Sequence, residues 1–424
     1  MSIWDRKKPS FGFVSTRLAG TDGVSLEAAK WVDLLTSKGC QCFFMAGELD
    51  TDPNLSHLVP EAFFQHQAIK EVQHALFTEQ KRTRELTRRI HELKETIKVG
   101  LEEFHCRFEF DIMVVQNALS IPVNIPLGLA ITEFIMENEI ATIAHHHDFY
   151  WERQRFNSFS AIDYLRWAFP PVYPSIRHVV INSIAGAELS LRTGASWTLI
   201  PNVLDFKTLP PGIDDYTRGL RNEIGLRDGQ LLVLQPTRVV SRKGIETAIE
   251  LVRRLNTFNY TLVITHKAGD EGLEYLRWIE DYADSMGVEL RFIADRIQEK
   301  RCYDEKGRKK YTLWDVYPHA DLVTYPSTYE GFGNAFVEAI YFRKPVIVNR
   351  YAIFEADIEP KGFDVIAFTD FFTESTVNDI RSLLNDRQRR EQMAEKNYML
   401  GWQYFSYEML EEKLESILAE ILGS

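Results

Sequence analysis

Short apolar runs alternate with helical patterns of hydrophobic residues along most of the chain. In the first half, the runs that predict strands are FGFVST (11–16), CQCFFMAG (40–47), DIMVVQN (111–117), IATIAHH (140–146) and HVVINS (178–183). In the second half they are LLVLQP (231–236), YTLVIT (260–265), ELRFIA (289–294), DLVTYP (321–326), PVIVN (345–349) and FDVIAF (363–368). Strands that are apolar at nearly every position and are separated by helices indicate parallel sheets covered on both faces.

These strands are too many for one compact sheet. Both periodicities stop in the segment TLIPNVLDFKTLPPGIDDYTRG (198–219). This segment contains three prolines and a glycine that break regular structure, Pro201, Pro210, Pro211 and Gly212. The pattern therefore predicts two doubly wound α/β domains, residues 1–205 and 206–400, followed by a C-terminal helical segment, residues 401–424.

Residues 66–107 predict a long polar helical insertion in the first domain. Its apolar residues recur at spacings of three and four, at Leu86, Ile90, Leu93, Ile97 and Leu101. The stretch KRTRELTRR (81–89) holds five basic residues in nine. A solvated helix face of mixed charge accounts for this pattern, and contact with an anionic substrate or a membrane surface is the alternative. The acidic residues interspersed along the segment weaken the membrane interpretation.

Composition narrows the class of protein. Of the 424 residues, 45% are hydrophobic and 26% charged, which is ordinary for a globular protein. The net charge of −12 argues against a nucleic-acid-binding protein. Four scattered cysteines do not form a disulfide framework, and neither a signal peptide nor an apolar run of about 20 residues is evident. We expect a cytoplasmic protein that does not associate with membranes, and a homo-oligomer is compatible with the sequence.

Two carboxylates surround a glycine turn in EGFGNAFVE (330–338). Parallel α/β sheets bind ligands beyond the carboxyl ends of their strands, and this loop follows the predicted strand 321–326. Gly331 and Gly333 allow a tight turn, and the helix beginning near Asn334 directs backbone N–H groups at the loop. Glu330 and Glu338 could then accept hydrogen bonds from different hydroxyls of one ligand. Alternatively, Glu338 pairs with Arg343 or Lys344 and Glu330 is solvated.

The motif EGFGNAFVE resembles the E-x7-E motif of the family-four retaining glycosyltransferases, which have the GT-B fold. Four further stretches are similar to that family in the expected order: GTDGVSLEAAKWVDLLTSKGCQC (20–42), LIPNVLDF (199–206), QPTRVVSRKGIETAIELV (235–252) and DLVTYPSTYEGFGNAFVEAIYFRKPVIV (321–348). In LIPNVLDF, Val203 and Leu204 replace the usual Gly-Val. The resemblance covers the chain except for 66–107. It implies two Rossmann-like domains facing a cleft, with the C-terminal helix crossing back to the first domain.

The resemblance also implies roles for the donor. Glu338 would hold the ribose hydroxyls of a nucleoside diphosphate sugar. Glu330 would contact the transferred sugar, helped by the backbone amides of Gly331, Phe332, Gly333 and Asn334. Arg238 and Lys243 would bind the diphosphate, where two fixed cations can stabilise the departing charge without a metal. Ile297 or its neighbours would contact the base through the backbone.

Three adjacent histidines end a predicted strand in TIAHHHDFYWERQRF (142–156). Strand alternation places His145 and His147 on one face and His146 on the other, so a zinc site is not expected. The resemblance implies a histidine that faces the donor sugar. His147 is the best match, and a shift of one residue would select His146.

The following loop and two other positions are candidates for ligand contacts. Asp148, Trp151 and Arg153, together with Asn117, could contact the acceptor, or they could only pack. Gly20 and Gly23 precede a helix that opens near Ser25, and a glycine turn there would let phosphates approach the backbone. This turn lacks the GxGxxG fingerprint, so a nicotinamide cofactor is not expected.

The resemblance implies a retaining hexosyltransferase that uses a UDP-glucose- or GDP-mannose-type donor and a small acceptor, sugar or phosphorylated. Two stretches, HHHDFYWER and YAIFEADIEPKGF, resemble segments of enzymes that make small soluble glycosides, such as mannosylglucosylglycerate-type solutes or disaccharide phosphates. No tightly bound cofactor is expected, and a divalent cation could stimulate the reaction without being needed for binding. The alternatives are a sugar-nucleotide epimerase of similar fold, for which the first domain lacks an evident acid pair, and a non-catalytic sugar-nucleotide sensor.

Overall fold

The computed structural model describes residue 4 and residues 8–255, 259–268 and 273–423. The chain divides into two compact units: Met1–Val203 with Tyr407–Ser424, and Leu204–Ser406. The chain therefore passes from one unit to the other between Val203 and Leu204, and returns between Ser406 and Tyr407. The first of these positions lies close to the break predicted at 205, and the second lies later than the predicted 401.

The first unit is built on seven strands and six helices among its described residues before Val203. The strands are β1 (Phe11–Val14), β2 (Cys42–Ala46), β3 (Ser56–Leu58), β4 (Ile112–Gln116), β5 (Ala141–His146), β6 (Ile176–Val180) and β7 (Trp197–Leu199). The helices are α1 (Gly23–Ser37), α2 (Gln67–Gln73), α3 (Arg84–Phe108), α4 (Ile125–Asn138), α5 (Ile162–Ala168) and α6 (Ser183–Thr193). A π-helical turn, His74–Thr78, continues α2.

The seven strands form one parallel sheet in the order β3-β2-β1-β4-β5-β6-β7. Its central strands β1, β2 and β4 are buried at every position. Their side chains alternate between two apolar cores, one on each face of the sheet. This double burial explains why these strands are apolar throughout.

The predicted insertion 66–107 is part of the core of the first unit. Ile97, Leu101 and Phe104 of α3 are fully buried against the sheet and α4, because the apolar stripe at spacings of three and four faces inward. The opposite face carries the mixed charge, with Arg88 paired to Glu85 and Glu92. The polar composition of this segment belongs to one face of a packed helix.

The C-terminal helix Tyr407–Leu422 belongs to the first unit. Its residues Leu410, Leu414, Ile417 and Leu418 are buried in the core that also contains Trp31 of α1. The first residues of the predicted segment 401–424 lie outside this helix, because residues up to Phe405 belong to a longer helix of the second unit. Gly401 lies so close to Phe206 that an added Cβ would approach the aromatic ring to 2.7 Å.

The second unit contains eight strands and seven helices among its described residues. The strands are β8 (Leu231–Gln235), β9 (Tyr260–Ile264), β10 (Leu290–Phe292), β11 (Cys302–Tyr303), β12 (Lys309–Lys310), β13 (Leu322–Tyr325), β14 (Val346–Asn349) and β15 (Ile366–Phe368). The helices are α7 (Leu220–Glu223), α8 (Ile245–Leu255), α9 (Leu273–Met286), α10 (Leu313–Val316), α11 (Asn334–Tyr341), α12 (Glu374–Asn385) and α13 (Arg387–Phe405). A π-helical turn, Phe354–Ile358, follows β14.

Six of these strands form a parallel sheet in the order β10-β9-β8-β13-β14-β15. Numbered along the unit, this order is 3-2-1-4-5-6, the order of a dinucleotide-type Rossmann sheet. The direction of winding reverses between β8 and β13. Ligands of such sheets bind at the carboxyl ends of the strands at this switch point.

The prediction of two doubly wound α/β sheets is confirmed, and every predicted strand contributes to one of them. The strands that the pattern missed are β3, β7 and the antiparallel hairpin β11–β12. All are two or three residues long and lie at a sheet edge or outside both sheets, so they lack a long apolar run. In the described part of the chain, no helix is long and apolar enough to cross a membrane.

Candidate active site

Two loops meet at the switch point of the second sheet. Residues 236–244 follow β8 and residues 326–333 follow β13, the strand beside it. The backbone N–H of Thr328 donates to the carbonyl of Arg242 at 2.9 Å. Gly244 has φ +60°, and a Cβ there would approach the Pro326 carbonyl oxygen to 2.5 Å, so this close approach of the loops requires glycine. The two predicted donor-binding motifs thus lie side by side.

Lys243 and Glu330 form a buried ion pair between these loops. Each side chain is 10% exposed, and Arg242 Nη1 lies 3.5 Å from the other carboxylate oxygen of Glu330. Burial lowers the pKa of Lys243, and the Glu330 carboxylate opposes that shift. Glu330 is therefore not a solvated carboxylate. Its charge and that of Lys243 stabilise each other.

Arg238 differs from Lys243 in its environment. Its side chain is exposed, and the structure gives it no hydrogen bond or ion pair with the described residues. Its backbone neighbour Val239 bridges to Ala268, which brings the end of the loop beside the segment that follows β9. Arg238 thus offers a guanidinium at the carboxyl edge of the sheet, close enough to Lys243 to help lower the pKa of that lysine.

His266 is a site residue that the sequence analysis missed. It lies directly beyond β9, and its Nδ1 is 2.8 Å from the Thr265 hydroxyl. Burial, and next the charges of Lys243 and Arg238, lower its pKa to about 4. The imidazole is therefore neutral at neutral pH and lies near both predicted phosphate-binding cations. Its position directly after the predicted strand 260–265 is the sequence feature that could have identified it.

The glycine turn before α11 is tightly packed. Gly333 has φ +137°, and a Cβ there would lie 2.3 Å from the Tyr351 hydroxyl, so only glycine fits. That hydroxyl donates to the Phe332 carbonyl at 2.7 Å, while the Phe332 ring packs against Phe405. The helix begins at Asn334 without a side-chain cap. Its first turn directs backbone N–H groups at the loop that contains Gly331.

Glu338 lies one turn into α11 and is partly buried. Its Oε2 accepts a hydrogen bond from the Tyr317 hydroxyl at 2.7 Å. Arg343 and Lys344, the alternative partners of Glu338, have contacts elsewhere. Arg343 pairs with Glu395, and Lys344 Nζ donates to the Pro318 carbonyl at 2.8 Å.

Ile297 lies after β10 at the base of the β11–β12 hairpin. It bridges to Tyr311, and its backbone N–H donates to the Ala294 carbonyl at 3.3 Å. The side chain is half-buried. The structure thus gives this segment a second support, the hairpin, which the sequence pattern did not predict.

The three adjacent histidines of the first unit point in two directions. His146 is buried, and its Nε2 lies 2.9 Å from Nδ1 of His178. His145 is buried on the other side and stacks on Trp31 at 4.5 Å. His147 shares the side of His145 but keeps part of its surface exposed. Of the three rings, His147 is the one with access to a ligand.

Gln116 holds both histidines on that side. Its Oε1 lies 3.0 Å from Nδ1 of His145 and 3.3 Å from Nε2 of His147. Because the amide oxygen is an acceptor, both contacts require protonated ring nitrogens, and Nδ1 of a neutral His147 is then an acceptor. Burial lowers the pKa of His147 to about 4, so the ring is neutral at neutral pH. His147 is therefore preset to accept a hydrogen bond from a hydroxyl.

The predicted acceptor residues Asn117, Asp148 and Arg153 form one network. Asn117 has φ +60°, its Oδ1 accepts from the His147 backbone N–H, and its Nδ2 donates to Asp148 at 3.0 Å. Arg153 is exposed and pairs with the other oxygen of Asp148. The network fixes these polar groups next to His147.

Trp151 is engaged by protein groups. Its ring stacks on Phe149 at 4.5 Å with an interplanar angle of 8°, and the Arg192 guanidinium lies 5.1 Å above the ring. These contacts favour packing over the alternative of a platform for a sugar ring.

The turn before α1 differs from an open anion site. Asp22 caps the helix, and its carboxylate accepts from the backbone N–H groups of Val24 and Ser25 at 3.0 and 3.2 Å. Gly23 is exposed at the start of the helix, and Arg17 pairs with Asp22. A phosphate at this turn would meet a carboxylate that already binds two of the helix amides.

No group of three or more histidine, cysteine or acidic side chains within the described residues could hold a metal ion. The histidine cluster around His146 accordingly consists of paired and stacked imidazoles.

Comparisons with known proteins identify the family. Residues 217–399 match the domain described as glycosyl transferases group 1. The chain is 32% identical to mannosylglucosylglycerate synthase of Petrotoga mobilis over 84% of this chain and 86% of that protein. It is also 32% identical to mannosylglucosylglycerate synthase of Thermotoga maritima over 93% of this chain and 96% of that protein.

Solved structures show the fold. The Anabaena protein HepE, solved in complex with UDP and glucose, superimposes with a TM-score of 0.65 at 15% identity, over 97% of this chain and all of that one. Sucrose-phosphate synthase from Thermosynechococcus elongatus superimposes with a TM-score of 0.66 at 14% identity, over 98% of this chain and all of that one. The two Rossmann-like sheets are those of the GT-B fold, and the chain belongs to the group 1 glycosyltransferases.

Proposed function

We propose that this protein is a retaining hexosyltransferase that transfers a mannosyl group from a nucleoside diphosphate sugar to a small acceptor of the glucosylglycerate type. Glycosyl transfer follows from the family, and retention is part of the proposal. The sugar and the acceptor are suggested by the name of the relatives, mannosylglucosylglycerate synthase, which cover most of this chain. The observation that carries the proposal is the meeting of Arg238, Lys243 and Glu330 at the switch point of the second sheet.

Arg238 and Lys243 would bind the diphosphate of the donor. When the bond from the sugar C1 to the phosphate oxygen breaks, negative charge accumulates on the departing nucleoside diphosphate. Two fixed cations stabilise that charge most in the transition state. Binding would therefore need no metal, and chelation by EDTA should leave nucleotide affinity unchanged.

Glu330 would serve the transferred sugar. Its carboxylate lies at the end of the loop after β13, beside the amides of Gly331, Gly333 and Asn334, where sugar hydroxyls can donate to it. Because Glu330 also pairs with Lys243, it would hold the lysine in place for the phosphate. Glu338, one turn deeper in α11, would bind the ribose hydroxyls, and the backbone at Ile297 would contact the base.

The first unit would supply groups for the hydroxyls of the sugar and the acceptor. His147, with Nδ1 set as an acceptor, would bind a donor-sugar hydroxyl. Asp148, held by Asn117 and Arg153, would accept from a second, non-reacting hydroxyl of the acceptor. In a front-face substitution, the reacting hydroxyl of the acceptor attacks C1 while its proton passes to the departing phosphate oxygen, so the configuration at C1 is kept. Gly23 would have at most a backbone contact, because Asp22 caps the adjacent amides.

The four free cysteines suit a cytoplasmic location.

A donor screen followed by product analysis tests the proposal. Thermal unfolding would be measured with GDP-mannose, UDP-glucose and ADP-glucose, since a donor at 100 times its Kd adds about 2.7 kcal/mol of stability. The stabilising donor would then be incubated with glucosylglycerate. An α-linked donor is expected to give an α-linked glycoside, as judged by the one-bond carbon–proton coupling constant at C1. A β-linked product would contradict retention, free sugar inverted at C2 would indicate an epimerase, and binding without turnover would indicate a sensor.

Replacing His147 with alanine is expected to lower transfer by about tenfold, the size of a lost hydrogen bond between neutral groups. Affinity for the nucleoside diphosphate should stay unchanged, because His147 would contact only the sugar. Steady-state turnover and calorimetric binding of GDP and UDP provide the measurements. His74→Ala serves as the control, since His74 is an exposed histidine of the same unit. Bound zinc and loss of wild-type activity on chelation would replace this role with a metal site.

A further inference from the structure

The carboxylate of Glu338 is held by a buried tyrosine. The Tyr317 hydroxyl donates to Glu338 Oε2 at 2.7 Å. Tyr317 is fully buried, and its ring stacks on Phe342 at 4.7 Å with an interplanar angle of 4°. It lies in the short 3₁₀ turn Tyr317–His319 directly before β13. The Tyr317 hydroxyl is thus positioned at the start of β13, the strand whose other end carries the loop of Glu330.

The phenol remains a hydrogen-bond donor at neutral pH. Burial, and next the charge of Glu338, raise the pKa of Tyr317 well above its ordinary value. Glu330 has a cation, Lys243, as a partner, whereas the contacts of Glu338 include this phenol.

A carboxylate on a flexible stem recognises two vicinal hydroxyls only when its plane is set. A hydrogen bond from a stacked, buried ring limits rotation of the carboxylate more than solvent would, and it does so before any ligand binds.

We infer that Tyr317 is a positioning residue that orients the Glu338 carboxylate toward the ribose hydroxyls and so sets the preference for ribonucleotides over 2′-deoxyribonucleotides. This inference rests on the proposed function, in which Glu338 binds the ribose. Tyr317 would not touch the ligand and would act through Glu338 alone. Its contribution should therefore appear in the ribose preference and not in the chemistry at C1.

The test compares Tyr317→Phe with wild type in calorimetric titrations with GDP, UDP and their 2′-deoxy forms. Wild type is expected to bind the ribo form of its nucleotide more tightly than the deoxy form. In Tyr317→Phe the ratio of the two affinities should fall by about tenfold, the size of one hydrogen bond to a charged group. In Tyr317→Phe, kcat at saturating donor should change much less than the KM for the donor.

Tyr341→Phe is the matched control. Tyr341 ends the helix that contains Glu338, is buried, and its hydroxyl donates to the Thr208 carbonyl at 3.0 Å. This variant loses a hydroxyl of the same kind, so its ribo-to-deoxy ratio should equal that of wild type. Should Tyr317→Phe not fold, Phe342→Leu loosens the Tyr317 ring that stacks on Phe342 and leaves Glu338 itself unchanged, and it should lower the ratio in the same direction.

The outcomes separate this inference from the proposed function. If wild type binds neither nucleotide, the proposed function is wrong. If wild type prefers the ribo form and Tyr317→Phe keeps the same ratio, the positioning role is overturned while the proposed function stands. An equal loss of affinity for both forms in Tyr317→Phe would also overturn the role, because a general loss of structure would explain it.

Discussion

Replacing Arg238 with alanine is expected to lower kcat by about 10²–10³-fold, the usual cost of removing one donor that stabilises developing negative charge. Donor affinity should fall less, because the phosphate charge grows as the sugar departs. Since Arg238 is exposed and makes no ion pair with the described residues, stability should change by no more than about 0.5 kcal/mol. Steady-state kinetics and thermal unfolding provide the measurements.

Replacing Lys243 with methionine should cause the same loss of kcat and, in addition, a loss of stability. It is buried against Glu330, and removing one partner of a buried ion pair costs about 3–5 kcal/mol. Lys243→Met combined with Glu330→Gln removes both charges and should recover part of the stability without recovering turnover. This pair of variants separates the catalytic effect from the folding effect.

The double variant Arg238→Ala and Lys243→Met should lose less than the product of the single effects, because both cations would serve one diphosphate. Arg253→Ala is the control, since Arg253 is a half-exposed arginine on α8 that pairs with Glu250. Single variants that keep more than about a tenth of the wild-type kcat would fall well short of the expected loss and would rule out the phosphate-binding role.

Glu338→Gln and Glu330→Gln should lower different quantities, nucleotide affinity in the first variant and turnover in the second. Glu338→Gln removes the charge that would bind the ribose, so nucleoside diphosphate affinity should fall about tenfold to a hundredfold, the size of a hydrogen bond to a charged group. Glu330→Gln should leave that affinity nearly unchanged. It should lower turnover of the intact donor by about 10²-fold, because it removes the charge that would bind the transferred sugar.

Calorimetric titration with GDP and UDP and turnover with the matching donor sugars distinguish the two variants. Glu391→Gln is the control, since Glu391 is an exposed glutamate of α13 in the same unit. Equal losses of nucleotide affinity in Glu330→Gln and Glu338→Gln would refute this division of roles.

The class of fold and the loops that carry the candidate site were predictable from local patterns in the sequence. Strands such as β4 and β8 are buried on both faces of a sheet, so their apolar runs are visible without any partner. The loop Glu330–Asn334 was also predictable, because glycines that permit a close approach and acids with a fixed spacing are local features. The edge strands β3 and β7 were not predictable, since three residues with one neighbouring strand need no long apolar run.

The pairing of side chains from distant parts of the chain was not predictable from local patterns. Lys243 and Glu330 are 87 residues apart and pair because β8 and β13 are neighbours at the switch point. The stripe of α3 indicated a helix, but only packing against the sheet showed that the segment belongs to the core. Tyr317 lies in no motif, and its partner Glu338 is 21 residues away. Pairing of this kind depends on the order of strands in the sheet, and strand order is set by long-range packing that no local stretch of sequence encodes.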